Sequence, residues 1–164
     1  MNINKLKKSK NIRQIDQIDT KILNILSENS REKLTSIARK IGLSIDATKK
    51  RIKKLEKNNI IKRYTIQVNV ENIGIPLTFY IYIKLSNVTQ ERLNEMINFL
   101  KKNPRIIDVI SVLGSFDLFI VAISKDPEEM NQIKMQIKEK FRDIIADWND
   151  AVATILHKWE EYKF

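Results

Sequence analysis

The stretch Ile41-Gly42-Leu43-Ser44-Ile45-Asp46-Ala47-Thr48-Lys49-Lys50-Arg51-Ile52-Lys53-Lys54-Leu55 ends one helix, caps another and gives the second helix two different sides. Gly42 is a terminator, because a residue without Cβ takes the left-handed conformation that closes a helix at little cost. Ser44 is a good N-cap, its hydroxyl able to accept a backbone N–H of the first turn. Thr48, Ile52 and Leu55 then form a narrow apolar stripe. At about 100° per residue, Lys49, Lys50, Lys53, Lys54 and Lys57 fall on another side, spread over roughly 140°. Upstream, Leu34, Ile37, Ala38 and Ile41 repeat at helical spacing over about two turns. Before them, Ile15, Ile18, Ile22, Ile25 and Leu26 mark a first helix, with Asp19 near its positive end and the polar break Ser27-Glu28-Asn29-Ser30 after it. Two short helices around a glycine turn, the second amphipathic and basic, make a helix-turn-helix whose second helix can enter a major groove.

Charge separates this region from the rest. The 164 residues carry a net charge of +10. Residues 1–64 hold 18 Lys and Arg against 6 Asp and Glu, a net +12, and residues 65–164 hold 12 against 14, a net −2. A basic module is therefore joined to a nearly neutral one, which points to a polyanion partner for the first. A lysine-rich face is often only a solvated one. Here, however, no glutamate neutralises it at i,i+4, since Glu56 lies toward the apolar side, and phosphate is the matching counter-charge.

Other chemistries lack support. There is no cysteine and one histidine, His157, so neither a thiolate nucleophile nor a zinc cluster can be assembled, and no carboxylate pattern suggests a metal or acid–base site. No catalytic residue, cofactor or metal is expected. No apolar run approaches the roughly 20 residues that span a bilayer, and residues 1–10 are basic without the apolar core of a signal peptide. The chain is expected in the cytoplasm, away from membranes.

In the neutral half, Ile61 to Val70 is β-branched and loosely alternating and reads as a strand leading out of the first domain, ending at Gly74 and Pro76. Leu77 to Leu85 reads as a buried strand. Thr89 caps a helix faced by Leu93, Met96, Ile97 and Leu100 and ended by Asn103-Pro104. Strands are expected over Ile106–Leu113 and Phe116–Ser124, with Gly114-Ser115 between them. Asp126-Pro127-Glu128-Glu129 combines a cap, a first-turn proline and a capping-box acid ahead of Met130, Ile133, Ile137 and Phe141. A last strand from about Trp148 to Trp159, with His157 in it, completes an α+β chain: an N-terminal helix-turn-helix and a C-terminal ferredoxin-like βαββαβ domain. The divisions are a basic extension over 1–14, the helix-turn-helix over 15–62, a hinge over 63–75 and the βαββαβ domain over 76–164. The aromatics Phe79, Tyr80, Tyr82, Trp148 and Trp159 suit core or interface.

Ile15-Asp16-Gln17-Ile18-Asp19, Ile22-Leu23, Leu26, Arg31, Ile37-Ala38, Ile41-Gly42-Leu43-Ser44, Arg51-Ile52-Lys53-Lys54-Leu55-Glu56, Ile60-Ile61 and Tyr64 together resemble the N-terminal signature of the Lrp/AsnC regulators. With the C-terminal half, the resemblance covers about residues 15–164. Asn59 stands where that family usually has glycine, and it too tolerates a left-handed turn. Lys33 stands where a Ser, Thr or Asp cap is usual, leaving Ser30 as an alternative cap. The resemblance implies dimers formed through the C-terminal sheets, their assembly into tetramers or octamers, and a small effector, often an amino acid. Gly114-Ser115-Phe116-Asp117 resembles the family's G-x-x-D loop. The other reading is a tight hairpin, with Gly114 at positive φ and Asp117 bonding the turn backbone. Leu113 replaces a frequent threonine, and Asn149-Asp150 lie where threonines often occur.

Residue roles follow from docking geometry. The first turn, Ser44, Ile45, Asp46 and Ala47, with Lys49 and Lys50 behind it, is where base edges are read. Arg51, Lys53, Lys54 and Lys57 lie farther along and are expected at phosphates, with a structural role as the alternative for Arg51. Lys5, Lys7, Lys8 and Lys10 either add nonspecific affinity or form a solubilising arm. The function expected is a homo-oligomeric regulator of transcription that binds double-stranded DNA at operator or promoter sites. The rivals are an architectural DNA-coating protein with little base readout, and an enzyme or metabolite sensor for which the basic domain is incidental.

Overall fold

A computed structural model describes residues 15–158 and 162–164; the basic extension and Trp159 lie outside them. The chain forms two compact units, one reaching to Gln67 and including Lys158–Phe164, the other Val68–His157.

The first unit contains α1 (Gln17–Glu28), α2 (Leu34–Ile41) and α3 (Ile45–Lys57). Its core is Ile22, Leu23, Ile37, Ile41 and Leu55, with Ile18, Ile25, Leu26, Leu43, Ile52 and Ile61 packed around it. Ile18, Ile22, Ile25, Leu26, Ile37, Ile41, Ile52 and Leu55 come from the expected stripes; Leu23 joins them, whereas Leu34 is only partly buried and Ile15 is exposed. Asp16 caps α1 by accepting the Asp19 N–H at 2.8 Å. Gly42 closes α2 at φ 73°, and the Leu43 N–H donates to the Ala38 carbonyl at 3.0 Å. Lys33 makes no side-chain cap to α2. Ser30 does not replace it: no N–H of α2 donates to its hydroxyl among the described residues, and that hydroxyl donates to the Thr65 carbonyl at 3.3 Å. The C-terminal segment returns to this unit: Asn24 Nδ2 donates to the Phe164 carbonyl at 3.2 Å, and the Phe164 N–H donates to Asn24 Oδ1 at 2.9 Å.

The second unit runs β1 (Leu77–Leu85), α4 (Gln90–Lys102), β2 (Ile106–Ser111), β3 (Leu118–Ser124), α5 (Pro127–Lys140) and β4 (Ile145–Val152). The four strands form one sheet in the order β2-β3-β1-β4, every pairing antiparallel. This is the expected βαββαβ arrangement. Strand side chains alternate between faces. Phe79, Ile81, Ile83, Leu118, Ile120 and Ala122 are buried with Met96, Leu100, Ile133, Ile137 and Phe141 from the helices and their ends. Tyr80, Tyr82 and Phe119 take the opposite face, their rings 5.1–5.7 Å apart. Asp150 is a polar member of the helix-facing side: it accepts from Lys134 Nζ of α5 and, at 2.9 Å, from Trp148 Nε1.

Three strand expectations need correction. Residues 61–70 form no strand; the chain instead passes into a 3₁₀ turn over Glu71–Ile73 and Gly74 at φ 80°. A strand is defined by its ladder, and this segment has none among the described residues, so its alternating Tyr64, Ile66 and Val68 stay exposed. The β2–β3 connection is also longer than Gly114-Ser115: β2 ends at Ser111 and β3 starts at Leu118, the Val112 N–H donating to the Asp117 carbonyl at 3.0 Å across the loop and the Asp117 N–H donating to the Ile83 carbonyl of β1 at 2.9 Å. Finally, β4 starts three residues before Trp148 and stops at Val152. Its partner β1 sets the first limit, ending at Leu85 opposite Ile145; at the other end Val152 pairs with Phe79, and the Ala153 N–H donates to the Thr78 carbonyl at 2.8 Å. His157 is therefore not a strand residue.

Candidate nucleic-acid interface

Helix α3 is built to keep one side fixed and another open. Ser44 accepts the Ala47 N–H at 3.2 Å, and Thr48, fully buried, satisfies its hydroxyl by donating to the Ser44 carbonyl at 2.9 Å. Leu55 is also buried, and Ile52 packs beside it. The helix ends as its sequence suggests. Asn59 sits at φ 58°, its N–H donates to the Glu56 carbonyl at 2.9 Å, and the Ile60 N–H donates to the Leu55 carbonyl at 2.9 Å. These are the bonds of a helix closed through a left-handed residue, with asparagine in the glycine position.

Lys49, Lys50, Lys53, Lys54 and Lys57 are all exposed, and among the described residues none is in an ion pair. Asp46, four residues before Lys50, is exposed and does not pair with it either. Glu56, the other acid of the helix, accepts from Tyr64 Oη at 2.8 Å. Partial desolvation of its hydroxyl and this bond to Glu56 push the Tyr64 phenol up to about 12. The five ammonium groups thus form a positive surface that the fold leaves uncompensated. In the first turn, Ile45 is 48% exposed, a large apolar side chain on open surface next to Asp46.

Arg51 separates from this group. Its Nη1 donates to Asp16 Oδ2 at 2.6 Å and to Asp19 Oδ1 at 2.8 Å, both on or just before α1. The two carboxylates raise the guanidinium pKa, Asp16 more than Asp19, and the Asp19 N–H and Arg51 hold the Asp16 carboxyl below its ordinary value. The structural alternative for Arg51 is the one realised. Asp16 and Asp19 were absent from the expected site; their i, i+3 spacing reads only as a cap and a first-turn acid, and their partner lies more than 30 positions away.

In the second unit, Gly114 has φ 149° and, with Ser115, is exposed. The Phe116 ring lies 5.6 Å from that of Tyr82. Asp117 Oδ2 accepts the Leu85 N–H at 2.8 Å and lies 3.3 Å from Lys84 Nζ. Asp117 thus bonds the end of β1, not its own turn, which makes it an anchor for the loop. A shallow depression of about 360 Å³ lies elsewhere, lined by Lys138, Arg142, Ile145, Ala146, Asp147 and Trp148.

Comparison with known proteins covers both units. A model of the AsnC-type helix-turn-helix domain matches residues 15–56, and a model of the Lrp/AsnC ligand binding domain matches residues 78–145. An uncharacterised HTH-type transcriptional regulator of Pyrococcus furiosus is 35% identical over 147 residues, 90% of this chain and 94% of that protein. The HTH-type transcriptional regulator Ptr1 of Methanocaldococcus jannaschii is 32% identical over 149 residues, 90% of this chain and 95% of its own. The same fold is seen in a transcriptional regulator of Neisseria meningitidis crystallised as a complex with L-methionine. Its TM-score is 0.82 at 18% identity, over 92% of this chain and 96% of that one. Among the described residues no helix is long and apolar enough to cross a membrane.

Proposed function

The chain belongs to the Lrp/AsnC family of helix-turn-helix transcriptional regulators, and from that premise we propose that it is a cytoplasmic, homo-oligomeric regulator that recognises specific DNA sequences through α3. Relatives of this kind are regulators, not enzymes. The observation that carries the proposal is the face of five exposed lysines, without an ion pair among the described residues, on a helix whose other side is locked into a core. Lys53, Lys54 and Lys57 neutralise phosphates, whereas Ser44, Ile45, Asp46 and Ala47, with Lys49 and Lys50, meet base edges. A two-fold oligomer presents two such helices to major grooves one helical turn, or a multiple of it, apart, so the operator is roughly palindromic.

The second unit assembles the oligomer and senses a small molecule. The aromatic sheet face of Tyr80, Tyr82 and Phe119 supports the first role, since such rings concentrate at interfaces. The ligand-binding family model and the L-methionine complex of the Neisseria relative support the second, with an amino acid as effector at Gly114, Ser115 and Phe116, and Asp117 holding the loop. Selection of bound fragments from a pool of random duplex DNA tests the DNA reading: enrichment of a shared palindromic element is expected, and a pool that stays random overturns it in favour of architectural coating. A screen of the twenty amino acids for a shift in unfolding midpoint tests the effector role; no shift at millimolar ligand overturns it.

A further inference from the structure

We propose that Arg51 is a positioning residue that clamps the recognition helix to α1 through Asp16 and Asp19, and that it does not itself touch DNA. The proposal rests on the DNA-binding reading of α3 and adds what sets that helix's orientation.

Azimuth is the first ground. At 100° per residue, Arg51 lies about 40–60° from Leu55 and Thr48, which are buried, and about 130° from the middle of the lysine face. An arginine aimed at phosphate would share the lysines' side. Arg51 instead sits on the border of the core, with its side chain 29% exposed.

Burial is the second ground. Asp19 is only 5% exposed, and an acid so enclosed is unfavourable unless it is paired. Arg51 Nη1 supplies that pairing at 2.8 Å and reaches Asp16 at 2.6 Å. The network also includes the α1 cap, since Asp16 uses its other oxygen for the Asp19 N–H at 2.8 Å.

Directionality is the third. The contacts among Ile22, Leu23, Ile37, Ile41 and Leu55 hold the helices together through apolar attraction, which by itself has little angular preference. Charge-assisted hydrogen bonds have such a preference. A clamp joining the first turn of α1 to the second turn of α3 therefore fixes the roll and axial register with which α3 meets a groove, and base readout requires that register where phosphate attraction does not.

The test uses the full-length chain, a selected duplex and an unrelated duplex of equal length, with affinity measured by fluorescence anisotropy across a salt series. Arg51→Gln and Asp19→Asn are each expected to lose roughly tenfold or more for the selected duplex with an unchanged salt slope, and the double variant is expected to be no worse than either single one. Asp19→Asn is decisive in sign, because removing a negative charge from a DNA-binding domain would otherwise tighten binding. Asp16→Asn keeps a capping side chain and so a folded α1. It is expected to lose part of the selected-duplex affinity, and unchanged or tighter binding overturns the clamp. A salt slope shallower by about one unit in Arg51→Gln, with Asp19→Asn unaffected, also overturns it and makes Arg51 a phosphate contact. Wild-type chain that does not prefer the selected duplex defeats the underlying DNA reading, and the clamp with it, before any variant is compared.

Discussion

Eight cations cluster within the fifteen positions from Lys49 to Arg63, and their charge alone does not assign them one role. Five lysines are exposed and have no ion pair among the described residues, whereas Arg51 is held by two acids. Lys53→Ala and Lys57→Ala should weaken binding to all duplexes alike and make the salt slope shallower by about one unit each, read from affinity against salt concentration. Lys50→Ala, nearer the first turn, should instead lose more for selected than for unrelated DNA. Acidity acts through another set of residues. The Asp19 N–H and Arg51 lower Asp16; the Lys125 N–H, ahead of Arg105, lowers Glu129; Arg92 lowers Glu95 and Asp143. Each folded value lies below its ordinary 3.8 or 4.5, so the unfolded chain binds more protons in the interval between, and stability falls as pH drops through it. Urea midpoints should hold steady from neutral pH to about 5 and decline below about 4. The lysine face was legible as periodicity. The Arg51 clamp was not, because its partners lie 32 and 35 positions away and no local spacing connects them.

Helices were easier to read than strands for a physical reason. A helix bonds within itself, so Ser44, Thr89 and Asp126 mark starts, and Gly42 and Asn59 mark stops, in the sequence itself. A strand ends where its neighbour ends. Thus β4 could not be bounded without β1, and residues 61–70 had strand composition but no ladder. At this scale α3 offers two tests by urea unfolding. Leu55→Ala should cost about 2–5 kcal/mol, because a fully buried leucine leaves a cavity between α3 and α1. Asn59→Val should cost about 1–2 kcal/mol, since a β-branched residue is strained at φ 58°, whereas Asn59→Gly should be neutral or slightly stabilising. A valine variant as stable as the parent would contradict the left-handed closure.

Across the whole molecule, charge and topology divide the labour. The unit containing the helix-turn-helix holds the positive excess, and the βαββαβ unit is nearly neutral with an aromatic sheet face. Removal of residues 1–62 should abolish DNA binding while sedimentation still reports an oligomer; binding that persists undiminished would place the interface elsewhere. The central claim is that α3 reads sequence and does not merely coat DNA. Its most direct measurement is the ratio of affinities for a selected palindromic duplex and a scrambled duplex of equal length and composition, at one fixed salt concentration. The account predicts a ratio of roughly 10³ or more, and a ratio near one would contradict it.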